Sequence, residues 1–276
     1  MDGGGSVAIK PWEQLSFQDD YMFKRVMSHK RLCRKMLEKI LRIEIRDIRY
    51  LEDEKTIKSG YGSKGIRLDV YVEDDRNTIY NIELQLKNLK DDGMYRRMRY
   101  YQSMVDADLL MVGAKYYELK DTFIIFICPF AVLDGERHLY TFRNCCIENH
   151  EIEMPDGATK ILLSTKGRLD DIPPDLKAFL DYVDGVLGND EFVQEIDREI
   201  KELKKLEEER VAYMTYAMKI QEERDEAKEE GRAEMLQAVV INMLREHEPY
   251  EKISRMTSTP LENITHIAQL NNLAYK

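Results

Sequence analysis

The sequence predicts an α/β or α+β domain that extends to about residue 165 and is followed by a helical region. Three observations support this class. Apolar residues recur at three- and four-residue steps before residue 41, as in amphipathic helices, and alternate with polar residues between residues 66 and 85, as in strands. After residue 173 the composition favours helices and then becomes densely charged.

Composition limits the size and class of the protein. The chain has 276 residues, 43% of them hydrophobic, and a formal net charge of −10, so it can bury a core but does not attract nucleic acid through its overall charge. The longest uncharged apolar run, residues 123–133, contains Pro129 and is far shorter than the ~20 residues of a membrane span. The first residues lack the pattern of a secretory signal. We therefore expect a cytoplasmic protein with no membrane partner.

The first elements in chain order are helices and then a hairpin. Residues 12–41 carry the helical period and predict two helices, or one helix interrupted near Ser28. Residues 66–72 alternate as in a strand, and residues 79–86 resume the alternation after the turn-like segment 73–78. These two segments predict an antiparallel hairpin.

The next elements complete the first domain. Residues 94–110 predict a helix, and residues 122–130 predict a buried strand. Shorter strands are predicted at residues 138–142, 151–154 and 160–165. The order helix, strand, strand, helix, strand is the basis of the α/β or α+β class.

A charged helical arm is predicted between residues 190 and 231, where helix formers combine with few large apolar residues. One interpretation is a solvated helix that carries no chemistry. The other is self-association in the manner of a coiled coil, which would make the protein a homo-oligomer. For the second interpretation we expect contacts through Leu203, Leu206, Val211 and Met214.

Beyond residue 231 an apolar stripe returns and predicts a small helical unit. Two short helices are expected within it, at residues 250–257 and 260–270, the second with Thr259 as its N-cap. The sequence thus predicts three parts: a core at residues 1–170, a helical region with the charged arm at residues 171–231, and a C-terminal helical unit at residues 232–276.

The hairpin brings acidic residues together. If Glu73 lies opposite Ile79, then Asp69 lies opposite Glu83, and alternation puts Gln85 on the same polar face. Two carboxylates directly across strands repel each other unless a cation lies between them, and hard oxygen ligands suit Mg²⁺ or Mn²⁺. The alternative is an exposed sheet face on which both carboxylates are separated and solvated.

The segments around these residues resemble the PD-(D/E)XK nuclease family transposases, relatives of the recombination-promoting nucleases. The resemblance is collinear over most of the chain and includes LSFQDDYMFKRVM, IRLDVYVEDDRNTIYNIELQ, RRMRYYQSMVDADLL and FIIFICPF. It implies a restriction-endonuclease-like core, in which helices flank a mixed β-sheet, and a metal-dependent DNA endonuclease. Asp69, Glu83 and Gln85 would occupy the D…E-x-K signature, with Gln85 in place of its lysine.

The resemblance also implies roles for these residues. Asp69 and Glu83 would hold Mg²⁺ or Mn²⁺, Gln85 would position a water, and Asp20 on the first helix would be a further metal ligand or a supporting group. The alternative for Asp20 is a solvated carboxylate favoured by the helix dipole. Because a neutral amide lacks the charge of lysine, the alternative for the whole protein is a weak or inactive nuclease fold that acts as a DNA-binding or oligomeric interaction module.

Basic and aromatic residues follow the hairpin on the helix predicted at residues 94–110. Arg97, Arg99 and Tyr101 are the candidates for contact with DNA, with guanidinium groups at phosphates and tyrosine packed beneath them. The alternative is a core tyrosine with arginines that neutralise nearby acids. Residues 60–65 have G-x-G-x-x-G spacing but precede a strand, so we expect a loop and no nucleotide cofactor.

Overall fold

The computed structural model describes residues 9–50, 55–57, 65–89, 93–110 and 112–274. Of the predicted loop at residues 60–65, only Gly65 lies within these ranges. The chain divides into two compact units, Lys10–Arg210 and a second that includes Val211–Lys276. No helix of the described residues is long and apolar enough to cross a bilayer.

A six-stranded mixed sheet forms the centre of the first unit. In chain order the strands of the described residues are β1 (Ile48–Tyr50), β2 (Thr56–Ile57), β3 (Ile66–Arg67), β4 (Val70–Asp74), β5 (Ile79–Leu84), β6 (Thr122–Cys128), β7 (Leu139–Phe142) and β8 (Ala158–Ser164). The order across the main sheet is β1-β4-β5-β6-β8-β7, whereas β2 and β3 form a separate pair. β5, β6 and β8 run parallel, and the remaining neighbours are antiparallel.

Helices flank this sheet, which confirms the predicted fold class. In the first unit they are α1 (Asp20–Met27), α2 (Lys30–Leu41), α3 (Gly93–Leu109), α4 (Pro174–Val183) and α5 (Glu191–Leu203). α3 packs on β6, α2 contacts β1, and α1, α2, α4 and α5 pack against one another. The interruption predicted near Ser28 is present between α1 and α2.

The hairpin register is as predicted, but the strand before it is not continuous. Glu73 pairs with Ile79 across β4 and β5. The prediction of one strand over residues 66–72 is wrong, because the chain bends at Asp69. β3 pairs with β2 outside the main sheet, so the main-sheet strand begins only at Val70.

The alternative of an exposed sheet face, on which both carboxylates are separated and solvated, is wrong. Every residue of β4, and β5 as far as Glu83, is buried. Both strands lie inside the sheet between neighbouring strands, and helices flank the sheet, so alternation does not produce a solvent face. The acidic pair therefore does not lie solvated on an open surface.

Short segments also differ from the sequence prediction. Residues 151–154 were expected to form a strand, but they contribute only an isolated bridge between Cys145 and Glu153. β1 was not predicted, since an edge strand with a single buried side chain, Ile48, is too short to show alternation.

The C-terminal helices are α6 (Glu207–Arg245), α7 (Tyr250–Thr257) and α8 (Leu261–Leu270). α8 begins one residue later than predicted, with Pro260 at the N-cap position and no side-chain cap. The core of this unit contains Val240, Leu244, Ile253, Ile264 and Ala268. The division into three parts at residues 170 and 231 stays a prediction.

The expected self-association contact through Leu203 is wrong. Leu203 lies on the buried face of α5, which packs against α1, α2 and α4. The same helix begins after Asp190, whose carboxylate accepts a hydrogen bond from the backbone N–H of Val193 at 3.0 Å. Leu206, Val211 and Met214 are exposed.

The packing of α4 generates a stability prediction. Phe179 is fully buried, and its ring packs against Phe17 and Phe192. We expect Phe179→Ala to lower the free energy of unfolding by about 3–5 kcal/mol, because it leaves a cavity in the core. The matched control is Phe142→Ala on an exposed edge strand, where we expect a loss below about 1 kcal/mol. Denaturant unfolding followed by circular dichroism measures both, and equal losses would contradict the placement of α4 in the core.

Candidate active site

Two carboxylates with little access to water, Asp69 and Glu83, lie side by side where β4 begins and β5 ends. The antiparallel register brings them together, and the backbone N–H of Asp69 donates a hydrogen bond to Oε1 of Glu83 at 3.1 Å. The Asp69 side chain is 13% exposed and that of Glu83 is 2% exposed. The backbone of the hairpin thus fixes the position of both groups.

Burial dominates the electrostatics of this pair. It raises the pKa of Asp69 to about 6, against the opposing charge of Lys24. Burial, together with the charge of Asp69, raises the pKa of Glu83 well above its ordinary value. Each carboxylate makes ionisation of the other less favourable, and a cation at the pair would remove that penalty.

Lys24 is a site residue that the sequence interpretation missed. Its Nζ lies 3.0 Å from Oδ2 of Asp20 and 3.2 Å from Oδ1 of Asp69. Burial acts to lower the pKa of Lys24, but the charges of the two aspartates outweigh burial and raise this pKa. The ammonium therefore stays protonated. The sequence signal for this residue is the i, i+4 spacing from Asp20 on α1. Lys24 brings to the site the positive charge that Gln85 lacks.

Asp20 occupies the first position of α1 and is linked to Asp69 through Lys24. Its carboxylate also acts to raise the pKa of Asp69. Among the described residues, no three His, Cys, Asp or Glu side chains gather where one ion could bind. The structure therefore brings Asp20 near the acidic pair, with Lys24 between them.

Arg97 joins α3 to the end of β5. Its Nη1 donates to Oε1 of Gln85 at 2.8 Å, and its Nη2 lies 3.4 Å from Oε2 of Glu83. The guanidinium lies over the ring of Tyr101, 4.8 Å from the ring centroid, and donates to the phenol oxygen. Tyr101 is buried with its ring edge against Phe126, so it supports Arg97 from below.

Gln85 and Arg99 have different surroundings. The Gln85 carboxamide accepts from Arg97 and donates through Nε2 to the backbone carbonyl of Lys87 at 2.8 Å. Its oxygen has a second lone pair that can accept from water. Arg99 is exposed on α3, on a different side of the helix from Arg97. The structure thus brings together Asp69, Glu83, Gln85, Arg97 and Tyr101 but leaves Arg99 apart.

The fold and this arrangement together define a class of protein. A mixed sheet flanked by helices, with the acidic pair on adjacent strands β4 and β5, is a restriction-endonuclease-like α/β fold. A family model described as PD-(D/E)XK nuclease family transposase matches residues 17–157, and the chain belongs to this family. The family predicted from the sequence is confirmed. No curated protein and no solved structure matches the chain significantly.

The acidic pair fits the divalent metal ions that PD-(D/E)XK nucleases generally use. Asp69 and Glu83 offer carboxylate oxygens, which are the preferred ligands of Mg²⁺ and Mn²⁺. Burial, and after it the charge of Asp69, raises the pKa of Glu83 although Arg97 lies 3.4 Å away, so additional positive charge would favour ionisation of the pair. A dication would supply that charge.

The raised pKa of Asp69 generates a pH prediction for the metal-free protein. A carboxyl group with a raised folded-state pKa stabilises the fold below its unfolded-state pKa, and this stabilisation is lost as pH rises through the folded value of about 6. Between pH 5 and pH 7.5 in EDTA, we expect wild-type stability to fall by about 1 to 2 kcal/mol more than that of Asp69→Asn. Thermal and denaturant unfolding across this range measure the difference.

Glu73→Gln is the matched control for this pH dependence. Glu73 is also buried. Burial acts to raise the pKa of Glu73, but hydrogen bonds from Lys120 and Arg49 hold this pKa below its ordinary value. Glu73 is therefore ionised throughout this window, and its replacement should lower stability without changing the slope. Parallel slopes for wild type and Asp69→Asn would contradict the raised pKa of Asp69.

Proposed function

We propose that this protein is a divalent-metal-dependent DNA endonuclease of transposase or recombination-promoting type, which hydrolyses phosphodiester bonds. The observation that carries the proposal is the pair of Asp69 and Glu83, two adjacent carboxylates with little access to water. A like-charged pair away from water lowers the stability of the fold, and packing alone does not explain why the pair is present. A bound cation would explain it, because the cation offsets the repulsion. Membership of a nuclease family supports the same conclusion.

Each residue of the site has a role in this proposal. Asp69 and Glu83 would hold Mg²⁺ or Mn²⁺. The bound ion lowers the pKa of a water and offsets charge on the phosphate. Gln85 would orient a water through the second lone pair of its oxygen, and Lys24 would add positive charge beside Asp69. Asp20 would hold Lys24 charged and in place, or act as a further ligand after rearrangement of Lys24.

DNA would approach along α3. Arg97 is half-buried at the acidic pair and would contact a phosphate close to the cleaved bond, with Tyr101 beneath its guanidinium. Arg99 is two residues further on, which turns its side chain about 200° around the helix axis. Arg99 would therefore touch a different phosphate from the one that Arg97 contacts.

We also propose a cellular location and an oligomeric state for the protein. We place it in the cytoplasm as a homo-oligomer that self-associates through its helical arm. Leu206, Val211 and Met214 are the exposed members of the set expected to make this contact. Apolar side chains on an exposed helix favour a partner that covers them.

One observation favours the second candidate, a weak or inactive nuclease fold that serves as an interaction module. Each carboxylate of the pair already has a cationic neighbour, Lys24 for Asp69 and Arg97 for Glu83. Both ends of the Gln85 carboxamide are also hydrogen-bonded within the protein. These contacts hold the site together, and a cleavage assay separates the two candidates.

We expect purified protein to nick or cut plasmid DNA with added Mg²⁺ or Mn²⁺ and to lose this activity in EDTA. Asp69→Asn and Glu83→Gln should each reduce cleavage by at least ~100-fold, because each removes a ligand of the ion. Glu73→Gln removes a buried carboxylate at the other end of β4 and should retain cleavage below its unfolding temperature. Wild-type protein that binds DNA without cutting it in Mg²⁺, Mn²⁺ or Co²⁺ would support the interaction module.

Lys24 generates a separate prediction. At saturating metal we expect Lys24→Gln to slow plasmid cleavage by ~100-fold, since the neutral side chain no longer offsets developing phosphate charge. Lys120→Gln is the matched control, because Lys120 also pairs with a buried carboxylate, Glu73, away from the acidic pair. It should cleave at the wild-type rate. Equal rates for both variants, with both folds intact, would assign Lys24 a structural role only.

A further inference from the structure

Helix α6 carries exposed apolar side chains toward both of its ends. Val211, Met214 and Met218 lie toward one end and Met235 and Val239 toward the other, each between 38% and 68% exposed. Their spacing of three and four residues matches the a and d positions of one unbroken heptad register. They form a single stripe, which we call the α6 seam.

The middle of the α6 seam is polar. The same register places Gln221, Asp225, Lys228 and Arg232 at the intervening a and d positions. Asp225, Lys228 and Arg232 are exposed. Charges at such positions determine which partner and which orientation a helix accepts.

A parallel pairing of two copies is disfavoured by these charges. In that arrangement each seam residue meets its own counterpart, so Asp225 meets Asp225 of the partner subunit and Lys228 meets Lys228 of the partner subunit. Like charges in facing positions repel and oppose association. The parallel arrangement therefore places repulsive layers in the middle of the interface.

An antiparallel pairing places complementary residues in every layer near the middle. Asp225 then faces the partner's Lys228, and Gln221 faces the partner's Arg232. The apolar ends also match, because Met218 faces the partner's Met235 and Met214 faces the partner's Val239. Each contact occurs twice around a two-fold axis.

We propose that α6 pairs with α6 of a second copy as an antiparallel, two-fold symmetric coiled coil. This inference rests on the self-association proposed above and specifies its residues and orientation. A symmetric pair of this kind uses the same surface on both copies, so it closes at two subunits.

The edges of the α6 seam affect how closely the helices approach. Ala217, Arg224, Gly231 and Ala238 occupy the g positions along the seam, and the three small residues among them leave room for the partner helix. On the other edge Glu222 would face the partner's Glu229, a repulsion between exposed groups that costs little in water. The seam layers, and not the edges, therefore decide the orientation.

Charge reversal in full-length protein tests the orientation. We expect dimeric wild type in sedimentation experiments, and a dimer dissociation constant that rises on the order of tenfold or more for Asp225→Lys or for Lys228→Asp. Combining both substitutions restores complementary layers and should recover the wild-type constant. Glu223→Lys makes the same charge change at an exposed position outside the seam and should leave the constant unchanged.

The outcomes separate this inference from the self-association on which it rests. A full-length chain that stays monomeric at all concentrations would contradict both. A dimer that is unaffected by Asp225→Lys would contradict only the antiparallel seam, since in a parallel pair this change exchanges one like-charged layer for another.

Disulfide cross-linking gives a second measurement in a background with Cys145→Ser and Cys146→Ser, which removes the two cysteines that are not buried. A mixture of the Met218→Cys and Met235→Cys chains should give a mixed disulfide dimer on mild oxidation. Met218→Cys alone should remain uncross-linked, because its partner position carries Met235. Efficient cross-linking of Met218→Cys to itself would overturn the antiparallel arrangement.

Discussion

The repulsion between two carboxylates buried at one end of the β4–β5 hairpin is the constraint on which the rest of the site depends. The register leaves Glu83 beside Asp69, and the backbone N–H of Asp69 fixes the glutamate oxygen. Glu83 is buried and Asp69 is only slightly exposed, so cations from other elements supply most of the opposing charge. α1 supplies Lys24 and α3 supplies Arg97. The positions of both helices against the sheet thus acquire an electrostatic role in addition to their packing.

A second glutamate, Glu73, is the opposite case, because two cations lie close to its carboxylate and it is less deeply buried than Glu83. Glu73, near the other end of β4, has Arg49 and Lys120 within 2.6 Å of its carboxylate oxygens, and its pKa lies below the ordinary value. Glu83 has Arg97 at 3.4 Å, and its pKa lies well above that value. The same residue type on neighbouring strands is neutralised at one place and left short of positive charge at the other. Binding and catalytic sites characteristically contain groups that are not in their most stable electrostatic environment.

Local patterns predicted most of the elements, whereas the details of the site depend on contacts distant in sequence. Alternation and turn length were sufficient to predict the Glu73–Ile79 register. The helical period of the apolar residues was sufficient to predict α1, α2 and α3. The bend at Asp69 depends on pairing of β3 with β2, and the burial of Glu83 depends on helix packing over the sheet, where α3 brings Arg97 to its carboxylate. Lys24 follows Asp20 by one helical turn, a spacing that surface ion pairs share.

The shortage of positive charge at Glu83 has an evolutionary consequence. Substitutions that remove one of the two carboxylates remove their mutual repulsion in the metal-free fold, which offsets part of the cost of losing an ion pair at this position. A lineage released from selection for cleavage would meet a lowered folding barrier as its acidic pair decays. Stable, catalytically silent descendants of such a fold are therefore easier to reach, and they would keep the sheet and helices as a scaffold for other uses.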